Sequence, residues 1–135
     1  MLQIPISVKE QIIDQALREL PNEACGYLAG SGETVTAMIP MTNADQSPEH
    51  FSFIPAEQFK AVKEARAKGL DLIAVYHSHP QSPARLSAED LRLANDPKMI
   101  YLVVSLMESE PILKAFRVVS KVSTEVLIQY TGSDD

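Results

Sequence analysis

Two histidines at alternate positions, His77 and His79, precede Ser87 by a gap of seven residues, and Asp90 stands three positions after that serine. In an extended strand, residues i and i+2 point to the same face, so the two imidazoles would project together. The run Leu72–Tyr76 just before them is almost continuously apolar and rich in β-branched residues, which reads as a buried central strand. The pair therefore emerges at a strand end, a place that ligand sites in sheet proteins favour. It is the strand counterpart of the helical His-x-x-x-His pair of zinc enzymes. Asp90 can complete a set of two histidines and one carboxylate, leaving a fourth position open for water. That is the catalytic pattern for zinc, whereas structural sites are closed by four protein ligands. The plainer alternatives are a solvated turn with two chance histidines and an ordinary helix start at Ser87-Ala88-Glu89-Asp90. Capping and metal ligation are compatible for Asp90. A hydrolytic site also needs a base that is not a ligand. Glu23, beside glycines in a turn-to-strand segment, is a candidate, although alone it reads as a surface acid.

The elements that must hold these residues can be traced along the chain. Ser7-Val8-Lys9-Glu10 has the form of a capping box, and Val8, Ile12, Ala16, Leu17 and Leu20 follow at helical spacing until Pro21 and Asn22 break the pattern. Glu23–Gly30 and Thr34–Pro40 read as strands around a Ser31-Gly32 turn, and Phe51–Ile54 as a short third one. Pro55 suits the first position of a helix with a stripe of Ala56, Phe59, Val62 and Ala65, stopped by Gly69. A short helix runs from Ser87 to about Asn95. Strands are expected at 99–106, 112–119 and 125–130, the first two paired as a hairpin, with 131–135 as a frayed tail. Residues 1–130 thus read as one domain of mixed helices and strands, an α+β or mixed α/β layer fold.

Composition limits the function classes. The chain has 135 residues, 45% hydrophobic and 22% charged, which suits one globular domain with a sizeable core. Twelve basic against 18 acidic residues give a net charge of −6, the wrong sign for a protein that tracks phosphates, so no nucleic-acid partner is expected. No apolar run approaches the roughly 20 residues of a membrane span, and no secretory signal opens the chain, so a cytoplasmic setting without membrane attachment is expected. The lone Cys25 excludes an intrachain disulfide and cysteine-rich zinc sites, including the Pro-Cys-x-x-Cys element of base deaminases. Cys25 itself reads as a buried small hydrophobe, with a soft extra ligand as the alternative. Arg85, Arg92 and Lys98 form at most a modest basic patch beside the histidines, and His50 reads as a surface residue.

Glu23 within Pro-Asn-Glu-Ala-Cys-Gly-Tyr-Leu-Ala-Gly, then His77-Ser78-His79-Pro80, then Ser87 and Asp90, resembles the signature of the JAMM (MPN-plus, JAB-domain) metalloproteases. That signature is a glutamate followed by His-x-His, seven residues and Ser-x-x-Asp, and the resemblance extends from the first helix to about Tyr130. Leu86 departs from the proline that family members often carry before the serine. The long insertions with which eukaryotic deubiquitinating relatives grip ubiquitin are missing, so the likeness is to small prokaryotic members. The resemblance implies a single domain with a curved central sheet flanked by helices, in a cytidine-deaminase-like layering. It implies one zinc ion per chain held by His77, His79 and Asp90, with water as the fourth ligand. Glu23 would be the general base and Ser87 would assist the oxyanion. The activity implied is hydrolysis of a peptide or isopeptide bond at the C-terminal tail of a ubiquitin-like or sulfur-carrier protein. The competing expectation is a non-catalytic protein-interaction scaffold of the same fold.

Overall fold

The computed structural model describes residues 1–132. Its elements in chain order are β1 (Leu2–Pro5), α1 (Ile6–Arg18), β2 (Cys25–Ser31), β3 (Thr34–Met41), α2 (Pro55–Ala67), β4 (Asp71–His79), α3 (Ala88–Leu93), β5 (Ile100–Ser105), β6 (Ile112–Val119), β7 (Val122–Val126) and β8 (Ile128–Thr131). All eight strands join one sheet in the order β7-β6-β5-β4-β2-β3-β1-β8. Consecutive β7 and β8 end up on opposite edges although only Leu127 separates them, so the sheet curls until its edges approach each other. This is the expected mixed α/β domain, a curved sheet flanked by helices. Among the described residues no helix is long and apolar enough to cross a membrane.

Alternation along β4 sorts its side chains into two layers. Ala74 and Tyr76 enter a core with Val8, Ile12 and Ala16 of α1, Leu2 and Ile4 of β1, and Leu102 and Val104 of β5. Val75, of opposite parity, packs with Cys25, Tyr27, Met41 and Ala61 on the side covered by α2. His77 and His79 share the parity of Val75 and face that second layer. Ser78 faces the first.

Several local expectations shift. The box at Ser7 does not form: β1 runs straight into α1, so Pro5 is the cap residue, with no side-chain cap hydrogen bond, and Ser7 lies inside the helix. The buried face of α1 is Val8, Ile12, Gln15 and Ala16, while Leu17 and Leu20 are exposed. On α2, with Pro55 in the first turn as expected, Ala61 and Ala65 are buried and Phe59 is exposed. Phe51–Ile54 finds no ladder partner and stays extended; its rings instead cluster with Tyr27, Phe53 lying 4.9 Å from Tyr27 and 5.5 Å from Phe51. The strand expected at 125–130 is two, broken at Leu127, and β7 pairs with β6 through a tight turn in which Ser120 and Lys121 have positive φ. Of the expected tail, Thr131 closes β8, and 133–135 lie outside the described residues.

Candidate metal centre

β4 is held on both sides, antiparallel to β2 and parallel to β5, so its last turn of sequence is rigid up to His79. The histidines are its final ordered positions rather than part of a following turn. Cys25 lies opposite His77 in the β2–β4 ladder. One step before that pairing, the Ala24 N–H donates to Ser78 Oγ at 2.7 Å and the Ser78 N–H donates to the Ala24 carbonyl at 2.9 Å. This two-way clasp carries Glu23 to the histidine end of β4, a proximity that 54 residues of separation conceal in the sequence. Asn43 secures the same segment from the other side, its buried amide donating to the carbonyls of Glu23 and His50.

The histidine side chains converge as alternation requires. His77 Nε2 and His79 Nε2 are 3.0 Å apart, and each lies 3.1 Å from Asp90 Oδ2. Both rings are buried, and Asp90 is nearly so. His79 Nδ1 lies 2.9 Å from the Pro83 carbonyl, which can only accept, so Nδ1 carries a proton and in the neutral ring Nε2 turns its lone pair to the centre. Phe51 stacks on the His77 ring with centroids 4.8 Å apart. Asp90 sits in the first turn of α3, where the capping box forms in full: the Asp90 N–H donates to Ser87 Oγ and the Ser87 N–H donates to Asp90 Oδ2. The same carboxylate oxygen therefore caps the helix and faces both histidines. Ser87 Oγ is engaged as an acceptor, which leaves its hydroxyl proton free to donate into the cleft it lines with His79.

Two ring nitrogens and a carboxylate oxygen crowded this closely aim lone pairs at one another, which only a proton or a cation between them reconciles. Tetrahedral zinc with nitrogen and oxygen donors at about 2.0–2.1 Å spaces those donors by roughly 3.3 Å. The donor set and its spacing fit a zinc-class divalent cation. No further histidine, cysteine or acid among the described residues joins the group, so a fourth position stays open.

The electrostatics separate the two acids. Burial, with Glu23 only 4% exposed, pushes its carboxyl up to about 8; the charge of His79 opposes this and those of Asp90 and Glu89 add to it. For Asp90, burial works the same way but is outweighed by the His77 and His79 hydrogen bonds, which hold it far below the usual carboxylate range. Burial disfavours the His79 imidazolium, yet Asp90 and the Pro83 carbonyl outweigh it and raise the pKa. Cys25 is buried, with its thiol pushed up to about 12 by burial, and its sulfur sits 3.9 Å from the Met41 carbonyl, outside the ligand group. Leu86 is buried against Ala94, Val103, Phe116 and Val118, an apolar anchor for the loop that leads into Ser87.

The structure therefore brings together His77, His79 and Asp90 as the spacing anticipates, with Ser87 on the same cleft and Glu23 close enough to feel the charges of His79 and Asp90. Sequence reasoning missed Phe51 over His77, the Pro83 carbonyl behind His79, and Ser78 and Asn43 as the holders of Glu23. None of these carries a spacing pattern that would reveal it.

With this geometry in view, the family model for prokaryotic homologs of the JAB domain matches residues 5–119. The chain belongs to this family. Among curated relatives, a CysO-cysteine peptidase of Mycobacterium tuberculosis is 32% identical over 128 residues, 93% of this chain and 88% of the relative. A probable TtuB-protein conjugate cleaving protease of Thermus thermophilus is 38% identical over 95 residues, covering 70% of this JAB-domain chain and 64% of that protein. Among solved structures, a Desulfitobacterium hafniense protein determined in solution superposes with a TM-score of 0.90 at 42% identity, covering 98% of this chain and 94% of that one.

Proposed function

We propose that this JAB-domain protein is a zinc-dependent peptidase or isopeptidase acting at the C-terminal tail of a ubiquitin-like or sulfur-carrier protein. The observation that carries the reading is the convergence of His77 Nε2, His79 Nε2 and Asp90 Oδ2 within 3.1 Å of one another, beside a buried Glu23 that is not one of the three. A structural site is normally closed by a fourth side chain, and a buried acid with raised proton affinity beside three such ligands suits a catalytic base. Relatives named as a peptidase and as a conjugate-cleaving protease support hydrolysis of an amide bond at such a tail.

When bound, zinc supplies Lewis acidity toward the scissile carbonyl and makes water nucleophilic near neutral pH. The remaining work falls to the chain. Glu23 takes a proton from the attacking water as the new C–O bond forms, and passes it to the amine nitrogen as the C–N bond breaks. Burial raises the proton affinity of Glu23 above that of an ordinary carboxylate, which favours its holding the proton between the two steps. The free Ser87 O–H donates to the carbonyl oxygen as negative charge grows there. The Pro83 carbonyl holds the His79 tautomer, and Phe51 holds the His77 ring in place.

The direct test uses a small carrier protein extended beyond a Gly-Gly tail. Protein reconstituted with one zinc per chain is expected to cut after the second glycine, to stop when a chelator strips the metal, and to resume on adding zinc. A protein that binds zinc stoichiometrically and cleaves neither peptide-extended nor isopeptide-linked carriers is the scaffold of the competing reading.

A further inference from the structure

Two unlike clefts flank the metal ligands. On the His77 side, a cleft of about 550 Å3 is lined by Tyr27, Phe51, Phe53, Val75, Met99 and Tyr101 and is largely apolar. On the His79 side, a cleft of about 460 Å3 is lined by His79 and Ser87 together with one cation, Arg85, and one anion, Glu49. Glu49 and Ser82 also line the adjoining cleft of about 710 Å3, whose walls are Leu20, Pro21, Pro48 and Pro80 together with Gln81. Arg85 and Glu49 are exposed, and no ion pair joins them to each other or to any other described residue. Two opposite charges left unpaired in one cleft beside a hydrolytic centre suit a ligand that carries both signs.

We propose that Arg85 and Glu49 form the subsite for the leaving residue, in which Arg85 binds the free α-carboxylate of the substrate's last amino acid and Glu49 its α-ammonium once the bond is cut. The inference rests on the peptidase reading above and narrows it to removal of a C-terminal amino acid. In such a substrate the scissile nitrogen and the terminal carboxylate share one carbon. A group that reads the carboxylate must therefore lie within one residue of the reacting carbonyl. Arg85 stands two positions before Ser87 and lines the same cleft as His79, which makes it the cation on hand for that carboxylate. The planar guanidinium matches a carboxylate with two parallel hydrogen bonds. An isopeptide-linked lysine brings no free carboxylate to this point, so it gains nothing from Arg85. The net charge of −6 sharpens the need, since the molecule as a whole repels an anionic chain end and only a local cation can reverse that. The uncharged tail then occupies the apolar cleft.

The test compares a tail peptide ending Gly-Gly-Ala with its C-terminal amide, using zinc-loaded protein, alongside a lysine isopeptide of the same tail. The acid is expected to exceed the amide in kcat/KM by about tenfold or more, mostly through KM. Arg85→Gln brings the acid-to-amide ratio toward one, and Arg85→Lys keeps part of it. Zinc-loaded Glu23→Gln, used as a binding trap, should hold the acid peptide more tightly than the amide by a similar factor, and lose that preference when combined with Arg85→Gln. Equal handling of acid and amide by the native protein, or a ratio untouched by Arg85→Gln, overturns the subsite. Cleavage of the isopeptide alone leaves the peptidase reading standing and removes the subsite, whereas cleavage of none of the three removes both.

Discussion

Glu23 and Asp90 show how one residue type takes two roles. Both are removed from water, but Asp90 receives two imidazoles and a backbone N–H, while Glu23 receives no such compensation and keeps its proton to about 8. The consequence is a pH dependence with a definite sign. In metal-free protein the fold favours the neutral Glu23, so its contribution to stability is full below the unfolded value near 4.5 and is lost as pH rises through about 8. Denaturant unfolding across that window is expected to show stability falling by up to about 1.4 kcal/mol per pH unit from this group. Glu23→Gln should flatten that component, and an unchanged slope would mean that Glu23 is not buried as described. At this level the sequence was informative for His77, His79, Ser87 and Asp90, because a strand alternation and one helical turn fix their relations locally. It was silent on the placement of Glu23, because that depends on a pairing between distant strands.

The elements carry the site through a few specific bonds. Ser78 faces away from the histidines it separates and clasps Ala24, which makes β2 and β4 one support for the base and the ligands. Ser78→Ala leaves the buried Ala24 N–H without its acceptor, a loss of about 1–3 kcal/mol in urea unfolding. Because Glu23 is adjacent, cleavage should fall while zinc content stays stoichiometric; full activity in that variant would show that the clasp does not position Glu23. Lys121 makes a comparable link, its ammonium donating to the Arg92 carbonyl at the end of α3 and to Asn95, so the β6–β7 turn braces the helix that presents Asp90. That turn was not legible in advance, since positive φ at Ser120 and Lys121 has none of the Asn-Gly chemistry that announces such hairpins. β1 was missed for a different reason. Leu2 and Ile4 are fully buried, but four residues give too little alternation to read, and the partner strand β8 lies at the far end of the chain. The strong periodic segments, α1, α2 and β4, were legible in kind, and their buried faces shifted where a tertiary neighbour overrode the local pattern, as Gln15 did by bonding Tyr76 and the Cys25 carbonyl.

In the whole molecule, the sheet pairs β1 with β8, the first and last strands of the described residues, and sets the histidine strand near its middle. The ligands come from one strand end and one short helix, so a bound cation ties α3 to the sheet and stabilises the folded state over the unfolded one. Zinc at about a hundred times its dissociation constant should therefore add roughly 2.7 kcal/mol, read as a higher Tm. Asp90→Asn is expected to lose most of that increment. A Tm gain that survives in the variant would place the metal elsewhere. Two short loops line the centre: 80–87 supplies Arg85 and Ser87 to the His79-side cleft, while 42–52 reaches both sides, with Glu49 in that same cleft and Phe51 over His77.

The most direct measurement is single-turnover cleavage of a Gly-Gly-tailed carrier by native protein and by Glu23→Gln, each verified to hold one zinc per chain. The account predicts that Glu23→Gln keeps its metal and its substrate affinity while cleavage falls by about 10²–10⁴-fold. Cleavage at the native rate by fully metal-loaded Glu23→Gln would contradict it.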